Sequence, residues 1–245
     1  MLDFSKRAKS YEELGIHVLV SSPETIEITR DKWETYTHLK EIIPCPKSFI
    51  NKSEIDIDFP LFIKPRGGSG SIDAYKVNSK IELDFYWDRV DNPIIQEFLG
   101  GDEYTVDCLT DLEGNLVICV PRKRIEIKSG ISTKSLTVKD EHLEKIAKSL
   151  VKQLAFKGPF FFQAKRDSFG RAKVTEVNAR IAGTMCTHTL SEGNFHTLAV
   201  RLAMGEKIPP TEIRYGVYLT RYWEEIYTTE TEMKSKFVDS YLDEL

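Results

Sequence analysis

Phe160-Phe161-Phe162-Gln163-Ala164-Lys165-Arg166-Asp167-Ser168-Phe169-Gly170-Arg171-Ala172-Lys173-Val174-Thr175-Glu176-Val177-Asn178-Ala179-Arg180 is the stretch on which the reading of this chain turns. Its pattern predicts a strand over 160–164, a turn over 167–170 and a second strand over 173–178, which together make a hairpin. Alternate residues of a strand share a face, so Glu176, Asn178 and, in continuation, Arg180 point together while Val177 packs behind them. Glu-x-Asn alone would read as a solvated strand face. Gln163 alters that weighing, because it interrupts an apolar strand and can lie beside Glu176. A partly buried amide costs free energy unless something satisfies it, and a metal or a phosphate oxygen would do so. Oxygen ligands of this kind suit Mg²⁺, which takes one or two carboxylates plus substrate phosphates.

Upstream of the hairpin, Leu143, Ile146, Ala147, Leu150, Val151 and Leu154 recur at helical spacing, with Thr137 and Asp140 placed as a capping box. The residues at 93–98, 104–109 and 116–120 read as strands, the last two joined by a turn at 111–115. Residues 61–64 form a strand that enters Lys64-Pro65-Arg66-Gly67-Gly68-Ser69-Gly70-Ser71. Glycines let the backbone approach an anion closely, and the strand lysine adds a fixed charge, which favours a phosphate site over a plain surface loop. The string is neither a Walker A loop nor a GxGxxG dinucleotide turn. In Gln96-Glu97-Phe98-Leu99-Gly100-Gly101-Asp102-Glu103, a strand ends in a polar pair that could hold adenine, with Glu103 on ribose. The competing reading of that segment is an edge strand and turn.

A helix is expected from Thr29 through Trp33, Tyr36 and Leu39, stopped by Pro44 and Pro46. Before it lies one β-α step: a helical turn capped by Gly15, a strand at 16–20 and a helix restarting near Pro23. A lone step cannot cover its own apolar faces. Downstream, a helix over 195–204 ends at Gly205, and 223–245 reads as a peripheral helix or loose tail. Hairpin-paired strands with helices grouped elsewhere give an α+β domain.

The 245 residues are 41% hydrophobic and 29% charged, with net charge -4 and pI about 5.8. Nothing in that balance suggests nucleic-acid or membrane-surface binding. No apolar run approaches the roughly 20 residues that span a bilayer. Cys45, Cys108, Cys119 and Cys186 are scattered without paired spacing, as expected of reduced cytoplasmic thiols, and no zinc motif is present.

Taken in order, these pieces resemble the ATP-grasp superfamily, most closely its carbamoyl-phosphate-synthase-like branch. Asp31-Lys32 with the following helix resembles the family's entry motif. Ile63-Lys64-Pro65 and the Gly/Ser loop resemble its phosphate-covering flap, and Gln96-Glu97-x-x-x-Gly101-x-Glu103 its hinge. Gly130-Ile131-Ser132-Thr133-Lys134-Ser135-Leu136-Thr137-Val138 is similar to the synthases' Gly-x-His-Thr-Gly-Asp-Ser-Ile segment. Gln163, Glu176 and Asn178-x-Arg180 resemble the metal-binding set. The likeness runs from about Thr29 to Tyr222.

The resemblance implies an ATP-grasp fold, two α+β lobes clasping a nucleotide, preceded by a remnant of an α/β domain. The expected division is 1–29 for the remnant, 30–95 for the small lobe with the flap, 96–222 for the large lobe with the metal site, and 223–245 for the tail. It further implies ATP and Mg²⁺ as cofactors, with Mn²⁺ as the alternative ion. Lys32 and Lys64 would hold phosphates, and Gly67, Gly68 and Ser69 would cover them, with Gly130, Ile131 and Ser132 also on the nucleotide. Gln96, Glu97, Phe98 and Leu99 would frame adenine, and Glu103 would bind ribose. Gln163, Glu176 and Asn178 would ligate metal, and Arg180 would neutralise the acyl-phosphate.

Three departures stand out: Ser132 in place of His, Ala179 in place of Pro, and Arg66 inside the loop, where it could meet a phosphate. Family members also carry a complete N-terminal α/β domain, so the expectation is either a start placed too far downstream or a second copy or partner chain that supplies the rest. The expected activity is ligation of a small-molecule carboxylate (or carbonate) to an amine or other nucleophile in the cytoplasm. The rival is a nucleotide- or partner-binding module without turnover; a protein kinase is disfavoured because HRD and DFG strings are absent. Among other candidates, Arg122 and Lys123 read as a solvated basic end, and Arg124 as able to face a substrate carboxylate. His188 and His196 read as packing residues, and Cys186 lacks an adjacent base.

Overall fold

The computed structural model describes residues 1–68, 70–185, 194–209 and 211–232. Short helices α1 (Leu2–Lys6) and α2 (Ala8–Glu13) lead to α3 (Pro23–Arg30) and α4 (Lys32–Leu39). Residues 16–20 have no regular secondary structure, which corrects the strand expected there: no strand among the described residues pairs with them. The single helix expected from Thr29 is also corrected. Asp31 is extended (φ -118°, ψ 120°) and its side chain accepts from the backbone N–H of Trp33 and Glu34, so it ends α3 and caps α4.

The small sheet contains β1 (Ser48–Phe49), β2 (Leu61–Pro65), β3 (Tyr75–Val77) and β4 (Pro93–Glu97) in the antiparallel order β1-β4-β2-β3. Helix α5 (Lys80–Trp87), capped by Ser79, covers it. Leu61, Ile63, Val77, Leu83, Val90 and Ile95 form its core. Because Leu61 and Ile63 alternate inward, Phe62 and Lys64 face the other way, toward the second lobe.

The large sheet runs β10-β7-β6-β5-β8-β9. Its strands are β5 (Glu103–Thr110), β6 (Leu116–Lys128), β7 (Ile131–Thr137), β8 (Gly158–Arg166), β9 (Ala172–Asn178) and β10 (Tyr218–Thr220), all antiparallel. Between β7 and β8 lies α6 (Glu141–Gln153), whose Leu143, Ile146, Ala147 and Leu150 pack on Tyr104, Val106, Cys108, Phe160 and Phe162. Burial of each such side chain contributes about 1.5–3 kcal/mol, which makes this the main stabilising layer. The capping box expected at Thr137 is corrected, since Asp140 itself is the N-cap and accepts from His142 and Leu143 N–H. On the opposite face Leu109, Ile118, Val120 and Phe161 meet Phe195, Leu198 and Leu202 of α7 (Phe195–Ala203).

Strand β6 is longer than the sequence suggests. Pro121 reads as a stop because it lacks an N–H, yet it sits just past the end of β7, where its carbonyl accepts from Val138 N–H and no ladder donor is required. The basic triplet therefore lies within the strand: Lys123 stays at the surface as expected, its ammonium on Asp102, but the solvated end is corrected for Arg122. Arg122 is wholly buried and bonds Asp107, while Arg124 is 9% exposed. Among the described residues no helix is long and apolar enough to cross a membrane.

Candidate active site

A cleft of about 140 Å³ opens between the two sheets. Its walls include Lys32, Lys64, Gly67, Gly68, Gln96, Glu97, Phe98, Leu99, Glu103, Gln163 and Glu176, residues the sequence singled out in five separate segments. Ser69, Cys186 and His188 lie outside the described residues.

The floor is set by a defect in one ladder. Gln163 pairs with Glu176, but Ala164 pairs with Val174, so Thr175 is an extra residue in β9. Such a bulge re-aims side chains: Val174 and Val177 both reach the core on one face, and Glu176 stands with Gln163 on the other. The bulged carbonyl of Thr175 accepts from Lys64 Nζ at 3.3 Å, tying β2 of the small lobe to the large one. Protein encloses Lys64 except at the cleft, and burial pushes its ammonium down to about 8, opposed by the charges of Glu176 and Glu103.

Glu176 is half-buried and accepts from Asn178 Nδ2 at 2.8 Å. Among the described residues no cation lies within ion-pair distance of it. A half-buried carboxylate beside two amide side chains is an all-oxygen donor set, which fits Mg²⁺ shared with phosphates rather than a His/Cys metal centre. Asn178 stands opposite Phe161, one step beyond the cleft lining. Arg180 does not continue the alternation, because the strand ends at Asn178 and Arg180 N–H turns back to the Asn178 carbonyl. Its guanidinium is exposed, 5.2 Å from the Phe161 ring, and Arg180 is not among the residues that line the cleft.

At the loop, Lys32 Nζ donates to the carbonyls of Arg66, Gly67 and Gly68 at 3.3–3.5 Å. Arg66 does not enter the cleft. It grips Asp31 through Nε (3.1 Å) and Nη2 (2.7 Å), so its expected place on a phosphate is corrected: the Asp31 carboxylate that caps α4 claims the guanidinium first. That pairing helps hold the Asp31 carboxyl below its ordinary range against the effect of burial.

On the hinge side, Gln96 is 4% exposed and donates to Ser48 Oγ, so its amide is partly committed inside the small lobe. Glu97 N–H donates to the Lys47 carbonyl, and its carboxylate holds Lys173 at 2.6 Å. Phe98 presents its ring between Lys76 and Lys165. Glu103 Oε1 lies 3.1 Å from Arg124 Nε, and Oε2 lies 4.0 Å from Lys165. Gly130, Ile131 and Ser132 are not in the lining: Ile131 is exposed and Ser132 is buried, its hydroxyl donating to the Lys134 carbonyl. The sequence reading missed Lys165 and Thr175. Carrying β8 two residues further would have put Lys165 on the face of Gln163, whereas no local signal marks the bulge.

Residues 89–223, just over half of the chain, match the family described as ATP-grasp in the biosynthetic pathway with Ter operon. The chain is 23% identical over 227 residues to the carbamoyl phosphate synthase large chain, N-terminal section, of Methanopyrus kandleri, covering 82% of this chain and 40% of that protein. It is 30% identical over 155 residues to a D-alanine–D-alanine ligase of Francisella tularensis, covering 60% and 52%. Among solved structures it is similar to the biotin carboxylase domain of Hydrogenobacter thermophilus 2-oxoglutarate carboxylase, in complex with MgADP, ADP and bicarbonate. That match has TM-score 0.74 at 17% identity and covers 89% of this chain and 55% of that one. The chain thus spans about half or less of the length of these relatives.

Proposed function

Because this chain belongs to the ATP-grasp superfamily and is carbamoyl-phosphate-synthase-like, we propose that it is an ADP-forming ligase. It would activate a carboxylate (or carbonate) as an acyl-phosphate for attack by an amine or other nucleophile. The observation that carries the reading is the meeting of Lys64, the glycine loop and the Gln163–Glu176 pair in one cleft. Cations and a glycine loop on one wall, with oxygen donors on the other, are what a polyphosphate with its magnesium requires.

Phosphoryl transfer needs positioning and charge neutralisation more than covalent work. Lys32 and Lys64 bind the phosphates, and the loop around Gly67 and Gly68 excludes water from a hydrolysable product. Phe98 and Leu99 frame the base, and Glu103 binds ribose. Glu176, Gln163 and Asn178 would hold Mg²⁺, which when bound would neutralise charge on the terminal phosphates. The substrate carboxylate oxygen attacks the γ-phosphorus and the bond to ADP breaks. The nucleophile then attacks the acyl carbon, phosphate leaves, and the amine proton passes to solvent or a substrate group. Arg180, two residues past Asn178, would neutralise charge on the acyl-phosphate once substrate is bound.

A coupled ADP-release screen of carboxylates against amines, with Mg²⁺, tests this reading. ADP formation that requires both substrates supports it. ATP binding without turnover across a broad panel supports a non-catalytic nucleotide-binding module instead.

A further inference from the structure

Arg124 is a buried cation beside the cleft with no part in the chemistry above. Among the described residues its guanidinium makes three polar contacts: Nε lies 3.1 Å from Glu103 Oε1, Nη1 donates to Thr105 Oγ1 at 3.4 Å, and Nη2 donates to the Gly130 carbonyl at 2.8 Å. The first is an ion pair only, because the Nε–H does not point along that line and has no hydrogen-bond partner among the described residues. Gly130 turns the chain between β6 and β7 at φ +73°, and a Cβ there would fall 2.4 Å from the carbonyl carbon of Gly70. The far end of the glycine loop therefore rests on this turn. One guanidinium touches both the cleft acid and the turn that backs the loop.

We propose that Arg124 is a positioning residue, which aims Glu103 at the ribose of the bound nucleotide and braces it against the Gly130 turn. The proposal rests on the ATP reading and on Glu103 as the ribose ligand. A glutamate at a strand start has several accessible rotamers, and holding one of them ahead of binding removes an ordering cost. A guanidinium suits the task because its rigid fork reaches partners in different directions, which a lysine ammonium on a flexible stem does not.

Calorimetric binding of MgATP, compared with the 2′-deoxy and 3′-deoxy analogues, tests the role on the full chain. The wild type is expected to prefer ATP over at least one analogue by about tenfold, the scale of a lost carboxylate–hydroxyl hydrogen bond. Glu103→Gln and Arg124→Met should each bring that ratio near unity, and the double variant should lower it no further. Gly130→Ala, in a turn outside the core, should reduce the ratio severalfold without contact to the nucleotide, and it decides the question if Arg124→Met does not fold. Loss of preference in Glu103→Gln with wild-type ratios in Arg124→Met and Gly130→Ala overturns the proposal. A wild type that binds ATP with no sugar preference removes the Glu103 assignment and the proposal together. A wild type that binds no ATP removes the nucleotide reading itself.

Discussion

Gln163 on β8 and Glu176 on β9 are direct cross-strand partners, and a register shift in that ladder falls immediately beyond them. The pairing puts a carboxylate and an amide side by side on the cleft face, while the shift sends Val174 into the core and leaves the Thr175 carbonyl for Lys64. Replacing Glu176 by Gln keeps the shape and removes the charge. Mg²⁺-dependent ADP release is then expected to fall by about a hundredfold or more, as for loss of several kcal/mol of charge stabilisation. The Mg²⁺ concentration at half-maximal rate should rise in the same variant. Activity and Mg²⁺ dependence equal to wild type would remove Glu176 from the metal site.

Lys64 gives a pH signature. Its ammonium is pushed down to about 8 from an ordinary 10.5 by burial. A bound polyphosphate favours the charged form and raises that value again. Above pH 8, ATP binding should therefore take up a proton and weaken with rising pH, by at most about tenfold per unit. Calorimetry near pH 9 in two buffers of different ionisation enthalpy measures the uptake, and Lys64→Met should abolish it. Stability without nucleotide follows the opposite sign. The folded state binds fewer protons at this residue between about 8 and 10.5, so Lys64 makes the wild type gain stability relative to Lys64→Met as pH rises through that window.

The strands around the cleft were legible because side-chain alternation is local: Leu61, Ile63, Phe160 and Val177 announce their faces from sequence alone. The Gln163–Glu176 juxtaposition was legible for the same reason, since a short turn at 167–170 fixes the register of the hairpin. What escaped depends on partners distant in the chain. Arg122 looks solvated until Asp107, on the neighbouring strand, is seen to neutralise it. Arg66 looks like a phosphate ligand until Asp31 reaches it first. The strand expected at 16–20 failed because hydrophobicity without a neighbouring strand does not make a ladder.

Arg66 and Asp31 clamp the root of the glycine loop to the start of α4, one residue before Lys32. The backbone joins too, with Lys32 N–H donating to the Arg66 carbonyl at 3.0 Å. Asp31 does two jobs, and substitution can separate them. Asp31→Ser retains an oxygen for the cap, worth about 1 kcal/mol, but loses the guanidinium. ATP affinity should then drop by roughly tenfold in both Asp31→Ser and Arg66→Ala, the scale of one lost charge-assisted pair, with little change in melting temperature for the former. Unaltered ATP affinity in both variants would show that the clamp does not orient Lys32.

Arg122 and Asp107 form a wholly buried ion pair, Nε to Oδ2 at 2.5 Å, on the face of the large sheet that also carries Thr105 and Arg124. Desolvating both charges is expensive, so the net gain over an apolar pair is small, while removal of Asp107 leaves the buried Arg122 guanidinium without its carboxylate. Arg122→Ala and Asp107→Ala should each cost about 3–5 kcal/mol, read as a shifted urea midpoint at constant slope. Arg122→Met with Asp107→Leu should cost far less than the sum of the singles, because neither buried charge then remains to be desolvated. The Nη1 of Arg122, buried without a hydrogen-bond partner among the described residues, argues in the same direction: the pair is incompletely satisfied even in the native fold. Additive single and double variants would mean that the two side chains are stabilised by different neighbours, and that the β5–β6 face is held together by something other than their mutual charge.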